Sequence, residues 1–398
     1  MAAPRIKIYF ENGALGQQVP LEDGIPGLLC TATAVASTFA LNTPYTLRGV
    51  DSLIPLGVDA TNNPHLYKTV TDFYKEAGNG AEMWLMGFTD TVKLSDMLDP
   101  TVTTRAKALI NAANGRIRYL IATRSPAPGY TPTITAGMDA DVALARTNAQ
   151  TLAVWAADTK ATPIFVLLEG YGFSGNATDL VDLTLGATDR VSIMIGDTTV
   201  SSPNAAVGLL GGRVAKNPVH VNIGRVKDGP ATDTAYIGAL EVKNADWESI
   251  HNKGYITFRN HVRRDGYFFN EDFIATLSTS DYSHITARRT IDKAYIIAHN
   301  TLLEKLLGEL PVNADGTLQE PLVKSWQADV EKAIAADMSA KGELSADVTN
   351  PDDKGVECYI NPAQVVTSTG NVRTQIRVRP YGYARLIDAY LGFQVVAA

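Results

Sequence analysis

The chain has 398 residues, 45% of them hydrophobic and 19% charged, an ordinary globular mix on the low-charge side and long enough for roughly two or three domains with sizeable cores. A net charge of -7 removes the electrostatic basis for wrapping DNA or RNA, so no direct nucleic-acid partner is expected. Cys30 and Cys358 stand near opposite ends, which excludes a disulfide framework and any close-spaced cysteine metal site and fits a reducing compartment.

Residues 1–26 read as an arm. Met1–Arg5 lead directly into Ile6-Lys7-Ile8-Tyr9-Phe10, an alternating strand pattern with no cleavable apolar leader. Asn12-Gly13, Gly16, Pro20 and Pro26 then break any regular element. The run 27–41 is interrupted by threonines and a serine and is too short to span a bilayer, so no membrane insertion is expected.

Residues 27–235 alternate buried strands with helices. Strands are expected at 28–35, 83–86, 117–122, 163–168 and 191–195. Asn63-Pro64 opens a helix with Leu66, Val70, Phe73 and Ala77 on one face and Gly78 at its end. A second helix covers 103–113. A third begins at Asp139 and Asp141, where carboxylates suit the helix dipole, and buries Val142, Ala145, Ala149, Leu152 and Ala156. A short helix is expected at 180–185. Strands apolar on both faces and separated by helices imply a mainly parallel sheet covered on both sides.

From about Ala205 the regularity weakens through Gly208, Gly211 and Gly212. Residues 236–385 read as an α+β domain. Short strands flank an Asp265-Gly266 turn, helices cover 287–307 and 321–338, and a hairpin joins 357–360 to 372–378. In that last strand Ile376 and Val378 alternate with Arg377 and Arg379. Residues 386–398 form a further apolar, β-prone run, reached through Pro380 and Gly382. An apolar strand at a chain end needs a sheet edge to receive it, in its own domain or in a neighbour's.

No catalytic constellation emerges. Gly208–Gly212 lacks dinucleotide spacing, and Gly172-Phe173-Ser174-Gly175 places its second glycine one position too early for a nucleophile elbow. The six histidines form no HExxH pair. His261 beside Arg259, Arg263 and Arg264 reads as a basic surface strand, and Asp352-Asp353 as turn chemistry. No catalytic residue, metal or cofactor is expected. Charge is segregated: eleven acids face four lysines between Glu309 and Glu357, whereas four arginines and one aspartate follow Asn371. Such a division suits either solvated faces or complementary subunit surfaces.

Arg288-Arg289-Thr290-Ile291-Asp292-Lys293-Ala294-Tyr295 before a long helix, Glu320-Pro321 followed by Trp326, and the ending Ile376 to Val396 together resemble the contractile tail sheath family of phages, R-type bacteriocins and contractile injection systems. The resemblance implies a non-enzymatic subunit that stacks as hexameric rings in a helical sheath around an inner tube protein, with baseplate and tail terminator proteins at its ends. It implies donated strands at Ile6, Ile8 and Phe10 and at Leu386, Ile387, Tyr390, Leu391, Phe393 and Val395. Gly13, Gly16, Pro380 and Gly382 would be hinges, and Lys324, Glu331 and Lys332 would lie on a tube-facing helix. Assembly in the bacterial cytoplasm and residence in a virion tail or injection particle follow from the same resemblance. The alternatives are an α/β enzyme with an appended oligomerisation domain, with a pocket near Gly87-Phe88, Thr123-Arg124 or Glu169-Gly170, and another strand-exchanging shell protein or adhesin.

Overall fold

The computed structural model describes residues 22–393, divided into two compact units, one ending at His299 and one starting at Asn300. The first is built on a six-stranded sheet: β1 (Pro26–Thr31), β2 (Pro44–Leu47), β3 (Met83–Phe88), β4 (Tyr119–Thr123), β5 (Phe165–Glu169) and β6 (Val191–Met194), in the order β2-β3-β1-β4-β5-β6. Five strands are parallel, and only the edge strand β2 runs antiparallel, against β3. All residues of β1, β4, β5 and β6 are buried. That is the reason their sequences read as continuous apolar runs. The expected fold class holds for this unit.

The longer helices of this unit are α1 (Pro64–Ala77), α2 (Ala106–Ala112), α3 (Ala140–Lys160), α4 (Val207–Lys216) and the start of α5 (Ile285–Leu303). Asp139 caps α3, its side chain accepting from the Asp141 amide at 3.0 Å, and the predicted apolar stripe is fully buried. Asn63 precedes α1 as expected, yet its amide does not cap the helix. It accepts from Thr33 N at 2.7 Å and donates to Thr33 O at 3.1 Å, fastening the helix start to the loop after β1.

The glycine-rich stretch is a helix, not an irregular segment. Gly208 and Gly212 lie so close to α1 that an added Cβ would sit 2.3 Å from Thr69 O and from Phe73 O. The glycines let two helix backbones touch, and they erase the apolar periodicity that would have revealed α4 in the sequence.

Residues 236–299, expected in a separate domain, fold with the first unit. Ile256 bridges Met194 in parallel and so extends the sheet past β6, and Thr276 bridges Ala187. The hairpin β7 (Phe258–His261) and β8 (Arg264–Phe269) turns at Val262-Arg263, with His261 opposite Arg264. The expected Asp265-Gly266 turn therefore lies inside β8, where Gly266 keeps a positive φ of 79°, and Arg263 at the actual turn takes a positive φ of 62°.

The second unit holds α6 (Glu320–Asp337) and the antiparallel pair β9 (Val356–Ile360) and β10 (Thr374–Val378). Its small core joins Leu318, Val323, Ile360 and Val366, with Trp326 and Val372 packed against them. Among the described residues no helix is long and apolar enough to cross a membrane.

Candidate functional site

Two regions could carry function, one in each unit. In the first, strand order reverses between β1 and β4, and a doubly wound sheet opens its crevice at that point, beyond the carboxyl ends of the strands. A cavity of about 270 Å³ lies there, lined by His65, Lys68, Asp72, Ser125, Asp197 and Asn204 among others. Its polar groups are committed to one another. Lys68 Nζ lies 2.8 Å from both Asp72 and Asp197. Burial works against that ammonium, but the two carboxylates outweigh it and raise its pKa. His65 Nε2 is 2.9 Å from Thr123 Oγ1.

Beside the cavity Glu169 is fully buried. Burial pushes its carboxyl up to about 7 against the Thr123 hydroxyl and three donors at 2.9–3.0 Å, the amides of Arg124 and Ala205 and the Asn204 side chain. Arg124, also buried, stacks over Tyr130 and Tyr171 with its guanidinium 3.8 Å from Asp141. Glu169 thus ties the ends of β4 and β5 to the start of α4, an architectural role.

His65 supplies a pH test. Burial first, and the nearby Lys68 charge second, lower its pKa from 6.5 to about 4. An unfolded chain therefore binds a proton at His65 before the folded one does. Stability from this site is intact above pH 6.5 and falls by roughly 3 kcal/mol as pH drops to about 4. In His65→Gln that part of the acid limb should vanish from urea unfolding curves taken across pH 4–7. An unchanged acid limb would refute the assignment.

The other sequence candidates resolve plainly. Ser174 is exposed, and its hydroxyl accepts from the Asn176 amide at 3.4 Å, the short-range bonding of a loop. The half-buried His261 packs on Phe268. Asp353 accepts from the Gly355 amide and pairs with Arg379, the turn chemistry expected of it. Glu271, Asp272 and His284 bring three ligand-type atoms within 4.8 Å of one another, a grouping invisible to sequence spacing. Asn222 Nδ2 donates to both carboxylates and the Thr286 amide donates to Asp272, so this cluster is already bonded within the protein.

In the second unit a groove of about 550 Å³ is walled by Leu302, Leu306, Leu310, Trp326, Ile360 and Val372. Next to it stands the hairpin. The Cys358 amide turns away from β10 and donates to Glu331 Oε1 at 2.8 Å, so α6 covers that side of β9. Glu331 is thereby half-buried against the strand rather than facing outward as expected, whereas Lys332 is exposed and Lys324 is exposed beside Glu320 at 2.9 Å. The outer edge of β10 has no strand partner among the described residues. Beyond it, Pro380 and Gly382 sit in irregular chain, and a Cβ on Gly382 would touch nothing within 4 Å. Leu386, Ile387, Tyr390, Leu391 and Phe393 follow, 78–104% exposed and in no strand of their own chain. Ile6, Ile8, Phe10, Gly13, Gly16 and Val395 lie outside the described residues.

The N-terminal domain model of DUF2586 matches residues 3–272, and the family's C-terminal domain model matches residues 281–397. The chain belongs to the DUF2586 family. No curated protein matches this DUF2586 chain in sequence. Among solved structures it resembles the helical sheath of the anti-feeding prophage in its contracted state, with a TM-score of 0.62 at 14% identity over 98% of this chain and 99% of that one. It also resembles a chain of the six-fold symmetrised anti-feeding prophage baseplate (TM-score 0.61, 13% identity, 99% and 100% covered). A third neighbour is the contracted PVC sheath complex of an extracellular contractile injection system (0.59, 11%, 99% and 98%). The fold of this DUF2586 chain is that of contractile sheath proteins.

Proposed function

We propose that this chain is the sheath subunit of a contractile particle. The carrying observation is that the likeness to contracted sheath chains extends over nearly the whole of both partners, with TM-scores near 0.6. In this reading copies of the chain form stacked hexameric rings around an inner tube protein, meeting a baseplate at one end and a terminator at the other. Residues 1–26 and 386–398 are the arms. Strands at Ile6–Phe10 and Leu386–Val396 are donated to neighbouring copies, and Gly13, Gly16, Pro380 and Gly382 bend to aim them.

The unpaired outer edge of β10 and the apolar groove beside Trp326 are the receiving surface. Edge pairing supplies main-chain hydrogen bonds, and the groove selects alternate side chains. The exposed Lys324 and Lys332 on α6 are the tube-facing candidates. Contraction is a change between two packings of one subunit, the contracted one lower in free energy. The particle assembles in the cytoplasm and acts outside it.

Negative-stain microscopy of the purified full chain tests the reading. Hollow cylinders of uniform width are the expected result. Isolated globules at all concentrations, together with saturable turnover of a small substrate, would favour an enzyme instead.

A further inference from the structure

The stretch Arg288-Arg289-Thr290-Ile291-Asp292-Lys293 stands out in the sequence and has no part in the receiving surface. At helical spacing Arg288 and Asp292 share one line of α5, and Arg289 and Lys293 share the adjacent line. All four are at least nine-tenths buried.

The first line grips the start of β6. Arg190 donates to both Asp292 carboxylate oxygens at 2.9 and 3.2 Å and to Ile164 O at 2.9 Å. Arg288 lies 3.3 Å from Asp189 and over the Tyr282 ring at 3.9 Å.

The second line grips the root of the N-terminal segment. Lys293 Nζ is 2.6 Å from Asp23 Oδ2. Arg289 Nη2 donates to Asp23 O at 3.4 Å and to Asn217 O at 2.9 Å, and its Nη1 to Pro218 O at 3.4 Å. The adjoining residues are fixed as well. A Cβ at Gly24 would lie 2.5 Å from Ala215 O, and the Arg118 amide donates to Ile25 O at 2.8 Å.

Three residues after Asp23 the chain enters β1, an interior strand of the sheet. A pull on the chain before Asp23 would therefore reach β1 directly unless something upstream took it. We infer that Arg289 and Lys293 are positioning residues that latch the root of the N-terminal segment at Asp23, so that tension on that segment passes into α5 and, through Arg288 and Asp292, into the start of β6. The stretch is a two-sided clamp. Its mechanical use rests on the sheath reading; the latch itself does not.

The test uses the full chain and a glutamate-specific protease. Cleavage after Glu22 requires the root to lift off. Asp23→Asn and Lys293→Gln should each speed that cleavage about tenfold, since cleavage follows the population of the locally opened form. The Asp23→Asn/Lys293→Gln double variant should be no faster than either single one, because both remove the same contact. Lys293→Arg should stay within about twofold of the parent. Near-UV circular dichroism verifies the fold, and Asp23→Asn keeps the test valid if Lys293→Gln misfolds. Unchanged cleavage in a folded single variant, or additive effects in the double one, would overturn the latch. The two ideas fail separately. A chain that makes no cylinders yet shows the cleavage pattern keeps the latch and loses the sheath. Cylinders with unchanged cleavage do the reverse.

Discussion

Truncation before Leu386 should leave a folded chain that no longer assembles. Leu386, Ile387, Tyr390, Leu391 and Phe393 are almost fully solvated in the single chain and make no contact that its fold depends on. Their loss should leave far-UV circular dichroism and the thermal transition of the monomer close to those of the parent. Assembly is another matter. Burying a large apolar side chain is worth about 1.5–3 kcal/mol, so five of them offer roughly 7–15 kcal/mol per copy before ordering costs. No rim ion pair can replace a term of that size. Sedimentation velocity with electron microscopy gives the readout, and Leu391→Asp/Phe393→Asp is the milder form of the same experiment. Long cylinders from the truncated chain would sink the donated-strand reading while leaving the fold assignment untouched.

That experiment concerns a segment whose apolar, β-prone character can be read from its residues, and the structure leaves those residues exposed in the single chain. Other features were legible for similarly local reasons. The runs at 28–31, 119–122 and 165–168 are apolar on both faces because both faces of the sheet are covered. Asp139 stands where a helix starts because a carboxylate can take its first free amides. What escaped notice depended on the other side of a contact. Helix α4 is hidden in its own sequence, since its glycines make sense only once Thr69 O and Phe73 O are seen against them. Glu331 looks like any surface acid until the Cys358 amide is placed 2.8 Å away. The hairpin turn moved from Asp265-Gly266 to Val262-Arg263 because the ladder shifts register between Arg259 and His261, so that His261 rather than a later residue meets Arg264 and closes the turn. The arginine stretch was noticeable by composition, but its two-sidedness needed Asp23 and Arg190, which lie far away in sequence.

The same close approach of α4 to α1 sets up the largest single-residue effect on stability. Glu76 near the end of α1 accepts from Arg213 of α4 at 2.7 and 3.0 Å, and both side chains are buried. Arg213 also donates to Gly229 O at 3.2 Å and Pro230 O at 3.0 Å, which pins a loop as well as a helix. Glu76→Ala leaves a guanidinium with two carbonyls and no carboxylate in a place it cannot leave. With backbone contact at Gly208 and Gly212, the helices cannot spread to admit water around it. The expected cost is about 3–5 kcal/mol, or a melting point lower by roughly 10 °C. Glu76→Leu/Arg213→Met removes both charges at similar volume and should lose less than Glu76→Ala alone, because the desolvation penalty disappears along with the attraction. Melting must be followed at protein concentrations where the chain is monomeric, since assembly would raise the apparent stability of every variant. A loss below about 1 kcal/mol for Glu76→Ala would mean that the site relaxes enough to hydrate Arg213, and that the glycine contact is looser than a backbone-to-backbone approach allows.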